Sequence, residues 1–452
     1  MRPIVYCVAF MVGLIACNGV SHLDDCFAAV SNGSFDANQS RQGHPSAKSP
    51  ALTSRALTDD ANTPRRLEDY LRYAASNNAG LKAAYEQWRA AVEQVPQAKS
   101  LPDPQLTYGY ATEPTPQRKM FETMQMFPWF GTIEARADVA SAAAKAAFKQ
   151  FEAKKLELFY EVKQAFYQYY YLAKAINITN ESLQLISRFE QVARTRYATG
   201  TATHPDVIRA QIELAMIENQ VKSLEELRPA IVARLNSVLN RPTTSGLPWP
   251  ESPNYEQISI DSGQLQTIVA ENNPQLQALG YDIEAARGNE NLAKKRFYPD
   301  IGVGLGVDSG MGDNGEDRVM ARVSLTLPLW TDNYKAAQRQ ARAQLNKAAQ
   351  EKIQLKNELA AKVRQILYEY QNSDREIRLY RDIVIPKASE MLIASETAYQ
   401  AGTIDFLSLI DAQRSLLQYQ LDYEKAVAEN AQRLAELEML AGMQLPMTKK
   451  EK

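Results

Sequence analysis

The sequence predicts a mainly α-helical protein with a small β part, built as an internal tandem repeat. One observation behind this prediction is the pattern Tyr-x-x-Gly-Thr, which occurs at Tyr197 and again at Tyr399, 202 residues later. The other is a pair of alternating strand patterns in each half. Gly200 and Gly402 suit the left-handed residue that ends a helix, and the Thr that follows can cap the next helix. Each copy of the pattern is therefore predicted to be the tip of a long helical hairpin.

The helix after each tip has the apolar spacing of a coiled-coil seam. Apolar residues recur in steps of three and four from Val207 to Val238, and the same register recurs 202 residues later, from Leu409 to Leu440. One such helix alone would more often be an ordinary core helix. Its duplication favours paired hairpins.

Residues 1–17 are predicted to be a lipoprotein-type signal peptide. One Arg precedes an apolar run that is too short to span a membrane in the mature chain. The sequence Leu14-Ile15-Ala16-Cys17 resembles a bacterial lipoprotein cleavage site, which would leave Cys17 as the lipidated first residue. A plain signal cut near Ala28-Ala29 is the alternative. Residues 18–63 are assigned to an N-terminal tether, because residues 31–63 are rich in Ser, Asn, Ala and Pro and have little apolar periodicity.

The composition argues against catalysis. The chain has three Cys and three His, and all but one lie in the signal peptide or tether: Cys7, Cys17, Cys26, His22, His44 and His204. No thiol or imidazole set is available for a nucleophile, a general base or a high-affinity metal site, so we expect neither an enzyme nor a bound cofactor. The net charge of −2 gives no basic footprint for nucleic acid.

Both repeats are predicted to follow one order: helix, two strands, long helix, tip, helix. The opening helix is predicted to be continuous in each copy, up to about Lys99 in the first and from Leu265 to Phe297 in the second. Pro229 and Pro386 must each kink or interrupt a later helix. The first repeat is predicted to cover residues 64–242, with strands in 104–127 and a tip at 197–203. The second is predicted to cover 263–442, with strands in 300–327 and a tip at 399–403. Residues 243–262 are the predicted linker between them, and 443–452 are the predicted C-terminal tail.

The strand pairs have the alternation of a transmembrane β-barrel wall. In the second copy, apolar residues from Ile301 to Val307 alternate with glycines, and those from Val319 to Leu327 alternate with Met320, Arg322, Ser324 and Thr326. A soluble two-layer sheet is the alternative. Four strands cannot close a barrel and lipid does not tolerate an open edge, so several chains must pool their strands. Two chains would give a filled eight-stranded interior, whereas three would give twelve strands and a lumen.

Three stretches, together with the tandem copies, carry a family resemblance. They are 127–131 (Phe-Pro-Trp-Phe-Gly), the run from Ile385-Pro386 to Thr403, and Leu407 to Gln413. Over about residues 64–442 the chain resembles the TolC-type outer-membrane efflux factors. The resemblance implies a homotrimer whose strands share one barrel in the outer-membrane lipid and whose hairpins form an α-barrel tunnel through the periplasm. It also implies two partners, a periplasmic adaptor protein and an inner-membrane pump that supplies the energy for passive conduction.

The resemblance further implies a gate at the tips. In the family a tip Tyr, here Tyr399, bonds to an Asp of the first repeat, here Asp206. Asp411 matches one member of an acidic ring that narrows the closed entrance. Without the family, Asp206 would equally be a helix cap and Asp411 a solvated helix residue.

The predicted gate also departs from the family pattern. Tyr197, Gly200 and Gly402 complete the predicted tip, but Ile404 stands where the family pattern has Arg, and Ser408 where it has a second ring Asp. The charge network is therefore predicted to be thinner.

Three functions remain open at this point. The first is the outer-membrane duct of a tripartite efflux pump. The second is the duct of a type I protein secretion system, which shares the fold. The third is a periplasmic helical scaffold without a pore.

Overall fold

The computed structural model describes residues 66–110, 119–252, 261–309 and 317–446. The predicted signal peptide with Cys17, the tether, both strand-connecting turns and the end of the tail lie outside these ranges. The described ranges are mainly helical, as predicted. In chain order their elements are α1 Leu67–Asn77, α2 Ala79–Lys99, β1 Gln105–Tyr110, β2 Lys119–Phe127, α3 Thr132–Ala198, α4 His204–Val238, α5 Ser262–Asn272, α6 Pro274–Lys295, β3 Asp300–Ser309, β4 Arg318–Thr326, α7 Thr331–Leu379, a π-helical turn Tyr380–Val384, α8 Ile385–Ala401 and α9 Phe406–Ala441.

The prediction of one continuous opening helix per repeat was wrong, because an asparagine divides it in both copies. Asn78 separates α1 from α2: its Oδ1 accepts from the backbone N of Leu81 at 2.9 Å, and its Nδ2 donates to the carbonyl of Val238 at 2.8 Å. Asn273 separates α5 from α6 in the same way and donates to the carbonyl of Leu440 at 3.0 Å. Each asparagine thus caps one helix and bonds to the end of the helix that follows the tip in its own repeat, α4 or α9.

Apolar clusters beside these asparagines hold each repeat together. In the first repeat, Tyr70 and Leu235 are fully buried between α1, α3 and α4. In the second, Leu265 and Leu437 lie in the corresponding cluster between α5, α7 and α9. The two cores therefore have equivalent positions, although a Tyr in one repeat is matched by a Leu in the other.

The four strands form one antiparallel sheet in the order β1-β2-β3-β4. Its apolar face is exposed: Leu106, Phe121, Leu305 and Val323 each leave half or more of their surface open. The opposite face, which we call the glycine face, carries Gly302, Gly304 and Gly306 with the side chains beside them in the register. An exposed apolar face and a polar or small opposite face are what a lipid-facing barrel wall requires.

The glycine face carries an ion pair that spans a whole strand. Glu122 on β2 is opposite Gly306, and Arg322 on β4 is opposite Gly304. Arg322 Nη1 donates to Glu122 Oε2 at 2.6 Å, and Glu122 is buried. Since β3 has no side chains at these positions, the pair crosses directly over its backbone.

The helices continue far from the sheet. Helix α3 has 67 residues, which corresponds to about 100 Å at 1.5 Å per residue. Pro386 lies at the start of α8, directly after the π-helical turn, so the second long helix is interrupted there, whereas α4 continues through Pro229. Among the described helices, none has an apolar stretch long enough to cross a bilayer.

Helices α3 and α6 approach each other closely at Gly288. A methyl group on Gly288 would lie 2.4 Å from Val139 Cγ2, closer than side-chain carbons come in folded proteins. We expect Gly288→Ala to destabilise the fold by about 1–3 kcal/mol, because overpacking outweighs the gain in helix propensity. The measurement is the temperature at which the helical circular dichroism signal of the detergent-solubilised protein is lost.

Gly280→Ala on the same helix is the matched control. A methyl group there meets only the flexible end of Lys352, at 3.2 Å, so the substitution should be neutral or stabilising by up to about 1 kcal/mol. Equal behaviour of the two variants would contradict a close α3–α6 contact at Gly288.

Candidate functional site at the hairpin tips

The two tips share one backbone geometry. Gly200 and Gly402 have positive φ angles of 75° and 77°. In each tip the glycine N–H bonds to the carbonyl of the tip tyrosine at 3.0 Å, and the next Thr N–H bonds to the carbonyl five residues back, at 2.8 Å for Thr201 and 2.9 Å for Thr403. These paired bonds are a Schellman motif. The predicted tip glycines therefore end helices α3 and α8.

The helix that follows each tip begins with the same cap, but the residues exchange places. In the first tip, Asp206 Oδ2 accepts from the backbone N of Thr203 at 3.1 Å and from its Oγ1 at 2.8 Å. In the second, Asp405 occupies the cap position and accepts from Ser408 N at 3.0 Å and from Ser408 Oγ at 2.6 Å. The carboxylate thus lies at the third helical position in one tip and at the cap in the other.

The expected bond between Tyr399 and Asp206 is not formed. The Asp206 carboxylate is occupied by Thr203 of its own turn, and the buried Tyr399 hydroxyl has no hydrogen-bond partner among the residues that the structure describes. The two groups are still neighbours. Burial raises the pKa of Tyr399, the Arg196 guanidinium opposes that rise, and Asp206 adds to it.

The tip tyrosines have opposite environments. Tyr399 is almost fully buried in an apolar cluster with Val207, Phe406 and Ile410, which joins both hairpins of the chain. Tyr197 is half exposed and lies beside the ring of His204. Only the second of the two predicted tyrosines is therefore part of the contact between hairpins.

Arg196 connects the two tips directly. Its guanidinium carbon lies 4.7 Å from the centre of the Tyr399 ring. Its Nη1 donates to the carbonyl of Tyr399 and its Nη2 to the carbonyl of Thr201 at 3.2 Å. One side chain at the end of α3 thus binds the last turn of α8 by hydrogen bonding and by a cation–π contact, whose sum is worth about 1–3 kcal/mol.

The remaining predicted residues lie near the tip but outside this contact. Asp411 is exposed on α9. Ile404 packs against the tip cluster, and Ser408 is bonded to Asp405. Above them, Arg414 of α9 forms an ion pair with the buried Glu213 of α4, at 2.9 Å from Nε to Oε1.

Arg196, Asp405 and Arg414 were missed in the sequence. The sequences of the two repeats contain a signal for Arg196 and Asp405. At an offset of 202 residues, Arg196 aligns with Ala398, and the pair Thr203 and Asp206 aligns with Asp405 and Ser408. A position where the repeats differ within an otherwise matched tip indicates a side chain with a role in one copy only.

Aromatic residues lie where the strands join the helices. Trp129 stacks on Tyr298 at 5.0 Å between ring centres, and its backbone N donates to Asp300. Phe130 and Trp330 leave more than three quarters of their surface exposed. Exposed aromatic rings at the end of a lipid-facing sheet are typical of a membrane–water interface. Among the described residues, no three His, Cys, Asp or Glu side chains are grouped so that they could hold a metal ion.

A sheet with an apolar outer face, joined through interfacial aromatics to hairpins that are many turns long, defines a subunit of an outer-membrane channel. The chain belongs to the outer membrane efflux protein family, which matches residues 71–241 and 266–443. It is therefore an outer-membrane component of an efflux system with the TolC-type fold, as the resemblance implied, and the pore-free scaffold is set aside.

Individual relatives agree with this assignment. The chain is 23% identical over 396 residues to the cobalt-zinc-cadmium resistance protein CzcC of Cupriavidus metallidurans, covering 85% of this chain and 91% of the relative. The crystal structure of VceC from Vibrio cholerae superposes with a TM-score of 0.71 at 17% identity, covering 84% and 97%. The open-state MtrE channel of Neisseria gonorrhoeae gives a TM-score of 0.69 at 17% identity, covering 89% and 98%.

The Asp405 cap should govern the order of the first turn of α9. Hydrogen bonds from Ser408 hold the pKa of the Asp405 carboxyl below its usual range. Because that pKa is lowered, the cap persists at neutral pH and is lost only as the pH falls through the lowered value. We expect Asp405→Ala to accelerate hydrogen exchange in a peptide covering 404–412 at neutral pH.

Ser408→Ala is the matched control, because the Asp405 carboxylate can still accept from the backbone N–H at position 408. It should accelerate exchange much less than Asp405→Ala does. A peptide covering the first turn of α4 should be unchanged in both variants. Equal exchange in the two variants would contradict the cap.

Proposed function

We propose that three copies of the chain assemble into one conducting duct. The observation that carries this proposal is the sheet: its outer face suits lipid, yet strands β1 and β4 each have one edge without a partner strand in the described chain. Open edges in a bilayer leave backbone N–H and C=O groups unsatisfied, so the edges must pair with other copies. Two copies would fill their own barrel interior, whereas three provide twelve strands and the lumen that an efflux channel needs.

Exposed apolar residues on the hairpins support assembly of the same copies below the sheet. On α4, Ile208 and Ile212 are exposed one turn apart. On the other hairpin, Leu379, Ile383 and Ile393 are exposed around the π-helical turn and α8. Two different apolar surfaces on one chain favour a head-to-tail contact between neighbours, and such contacts close into a ring.

The partners, the energy source and the cargo are proposed from membership of the family. A periplasmic adaptor protein and an inner-membrane pump would be the partners, with the pump selecting cargo and supplying the energy. The relatives are named for different substrates: one is a cobalt-zinc-cadmium resistance protein and another is a pyoverdine export protein. A third, matching 40% of the chain, is a toxin and drug export protein, so a duct for protein secretion stays as the second candidate.

The tips would form the periplasmic entrance and its gate. Five of the predicted tip residues shape and line this entrance: Tyr197, Gly200, Gly402, Asp206 and Asp411. The sixth, Tyr399, is the residue that Arg196 contacts. The gate is closed while the Arg196 guanidinium joins the end of α3 to the end of α8. Opening requires this contact to break, because it is made between the two hairpins.

Native mass spectrometry of the full-length protein in mild detergent tests the assembly. We expect three chains per particle, with an added acyl mass on each chain if Cys17 is lipidated. A trimer without the acyl mass would support the shared duct and contradict the lipid anchor at Cys17. A monomer or dimer would contradict the pooled barrel.

Single-channel recording in planar bilayers tests the gate. Arg196→Ala removes both the hydrogen bonds and the cation–π contact, so we expect the open population at rest to rise by about tenfold, which corresponds to a loss of about 1.4 kcal/mol. Tyr399→Phe should change little, since it keeps the ring under Arg196 and removes only an unpartnered hydroxyl.

Arg194→Ala is the matched control for charge. Arg194 lies on the same helix, is exposed, and pairs with Glu190 of its own helix. Its loss should leave the resting conductance unchanged. A rise in Arg194→Ala as large as in Arg196→Ala would show that net charge, and not the contact with Tyr399, holds the gate.

A further inference from the structure

Methionine is concentrated on the glycine face of the sheet. Eight methionines lie in the described part of the chain, and four of them share this face: Met120, Met124, Met126 and Met320. The apolar face of the described strands has none. A face that points into a lumen is expected to be polar, so four thioether side chains there need a specific reason.

Two of the sulfurs converge on the same point. A methyl group placed on Gly302 would lie 2.7 Å from Met126 Sδ, 3.3 Å from Met124 Sδ and 2.2 Å from the hydroxyl oxygen of Ser324. The Ser324 hydroxyl also contacts Met124 Sδ at 3.5 Å. The missing side chain of Gly302 therefore lets two thioethers and one hydroxyl approach one another directly over its Cα.

The donor set selects one class of ligand. Thioether sulfur is a soft, uncharged ligand that suits Cu(I) and similar monovalent cations, whereas Co²⁺ and Zn²⁺ are better held by imidazole, thiolate or carboxylate. Neither Cys nor His is present in the described strands. A site of two thioethers without thiolate binds weakly enough to release its ion, as a conducting surface requires.

The charges of the same face do not select a hard cation. Three acidic residues, Asp300, Glu122 and Asp308, share this face with two basic ones, Arg318 and Arg322. Arg322 neutralises Glu122 directly. Among the described residues, no three acidic side chains are grouped so that they could hold a metal ion, so the thioethers are the feature that distinguishes this face.

We propose that Met124, Met126 and Ser324 form a site for a soft monovalent cation, Cu(I) or Ag⁺, over Gly302. The site lies at the end of the strands that joins the helices, since β2 ends at Phe127 and β3 begins at Asp300. Met120 and Met320 lie farther along the same face, as further thioether contacts toward the other end of the sheet. That this face lines a conducting lumen rests on the trimeric duct proposed above; the thioether site itself lies within one chain.

Titration of Ag⁺ into the full-length protein in detergent and chloride-free buffer tests the site. Isothermal calorimetry should give one Ag⁺ per chain at the strongest site, with sulfur scatterers in the silver X-ray absorption spectrum. Zn²⁺ should bind more weakly. Binding should be lost in Met124→Leu/Met126→Leu, which conserves volume, and retained in the control Met439→Leu/Met443→Leu, whose methionines lie on and just after α9. Unchanged Ag⁺ affinity in the first variant, or an absorption spectrum with oxygen neighbours only, would overturn the proposal.

Two glycine variants provide an independent arm. Gly302→Ala places a methyl group where it would force Met126 Sδ and the Ser324 hydroxyl away from Gly302, and it should abolish Ag⁺ binding. Gly306→Ala lies on the same strand and face, where the nearest atoms to an added methyl group would be Phe121 O at 3.4 Å and Glu122 side-chain carbons at 3.8 Å and beyond. It should leave binding intact. Equal Ag⁺ binding by the two variants would overturn the placement of the site.

Native mass spectra of the same samples separate this inference from the proposed function. A trimer that does not bind Ag⁺ overturns the cation site and leaves the duct. A monomer that binds Ag⁺ through sulfur keeps the site and overturns the duct. A third outcome is that the protein does not bind Ag⁺ but binds an apolar dye, and that Met124→Leu/Met126→Leu loses the dye. This result would show an apolar cargo surface and would overturn the soft-cation site.

Discussion

A β-sheet that faces lipid must pair the backbone groups along its edges, and this requirement governs the rest of the molecule. The four strands in the described part of the chain pair with one another but leave one edge each of β1 and β4 unpaired there. A single chain is therefore an incomplete unit of membrane structure. The exposed apolar face, the interfacial aromatic residues and the apolar surfaces of the hairpins are all consistent with a chain that is completed by its neighbours.

The two repeats conserve backbone geometry more closely than side chains. Asn78 and Asn273 divide and cap the opening helices by the same hydrogen bonds, and the tips end in the same Schellman motif. The cap carboxylates, by contrast, occupy different positions, at Asp206 and Asp405. A carboxylate can satisfy the first turn of a helix from either position, so the geometry survives although the residues were exchanged.

Local patterns made the fold class predictable, and the family match confirms it. Alternation of two residues identified the strand faces, and the tip glycines marked the helix ends, because both depend on neighbours in sequence. The break at Asn78 was missed because its side chain bonds to Val238, which is 160 residues away. The Arg196–Tyr399 contact spans 203 residues and replaces the expected bond to Asp206. The domain bounds and the roles of the tip residues stay predictions.

The tip contact also has a consequence for symmetry. A duplicated chain in a ring of three would present six hairpins that could be equivalent, and equivalent hairpins would have to move together. Arg196 has no counterpart in the second repeat, where Ala398 occupies its place. In the trimer proposed above, the two hairpins of a chain would therefore not be interchangeable: one set would act as a fixed frame while the other swings, and the ring would keep only the threefold axis.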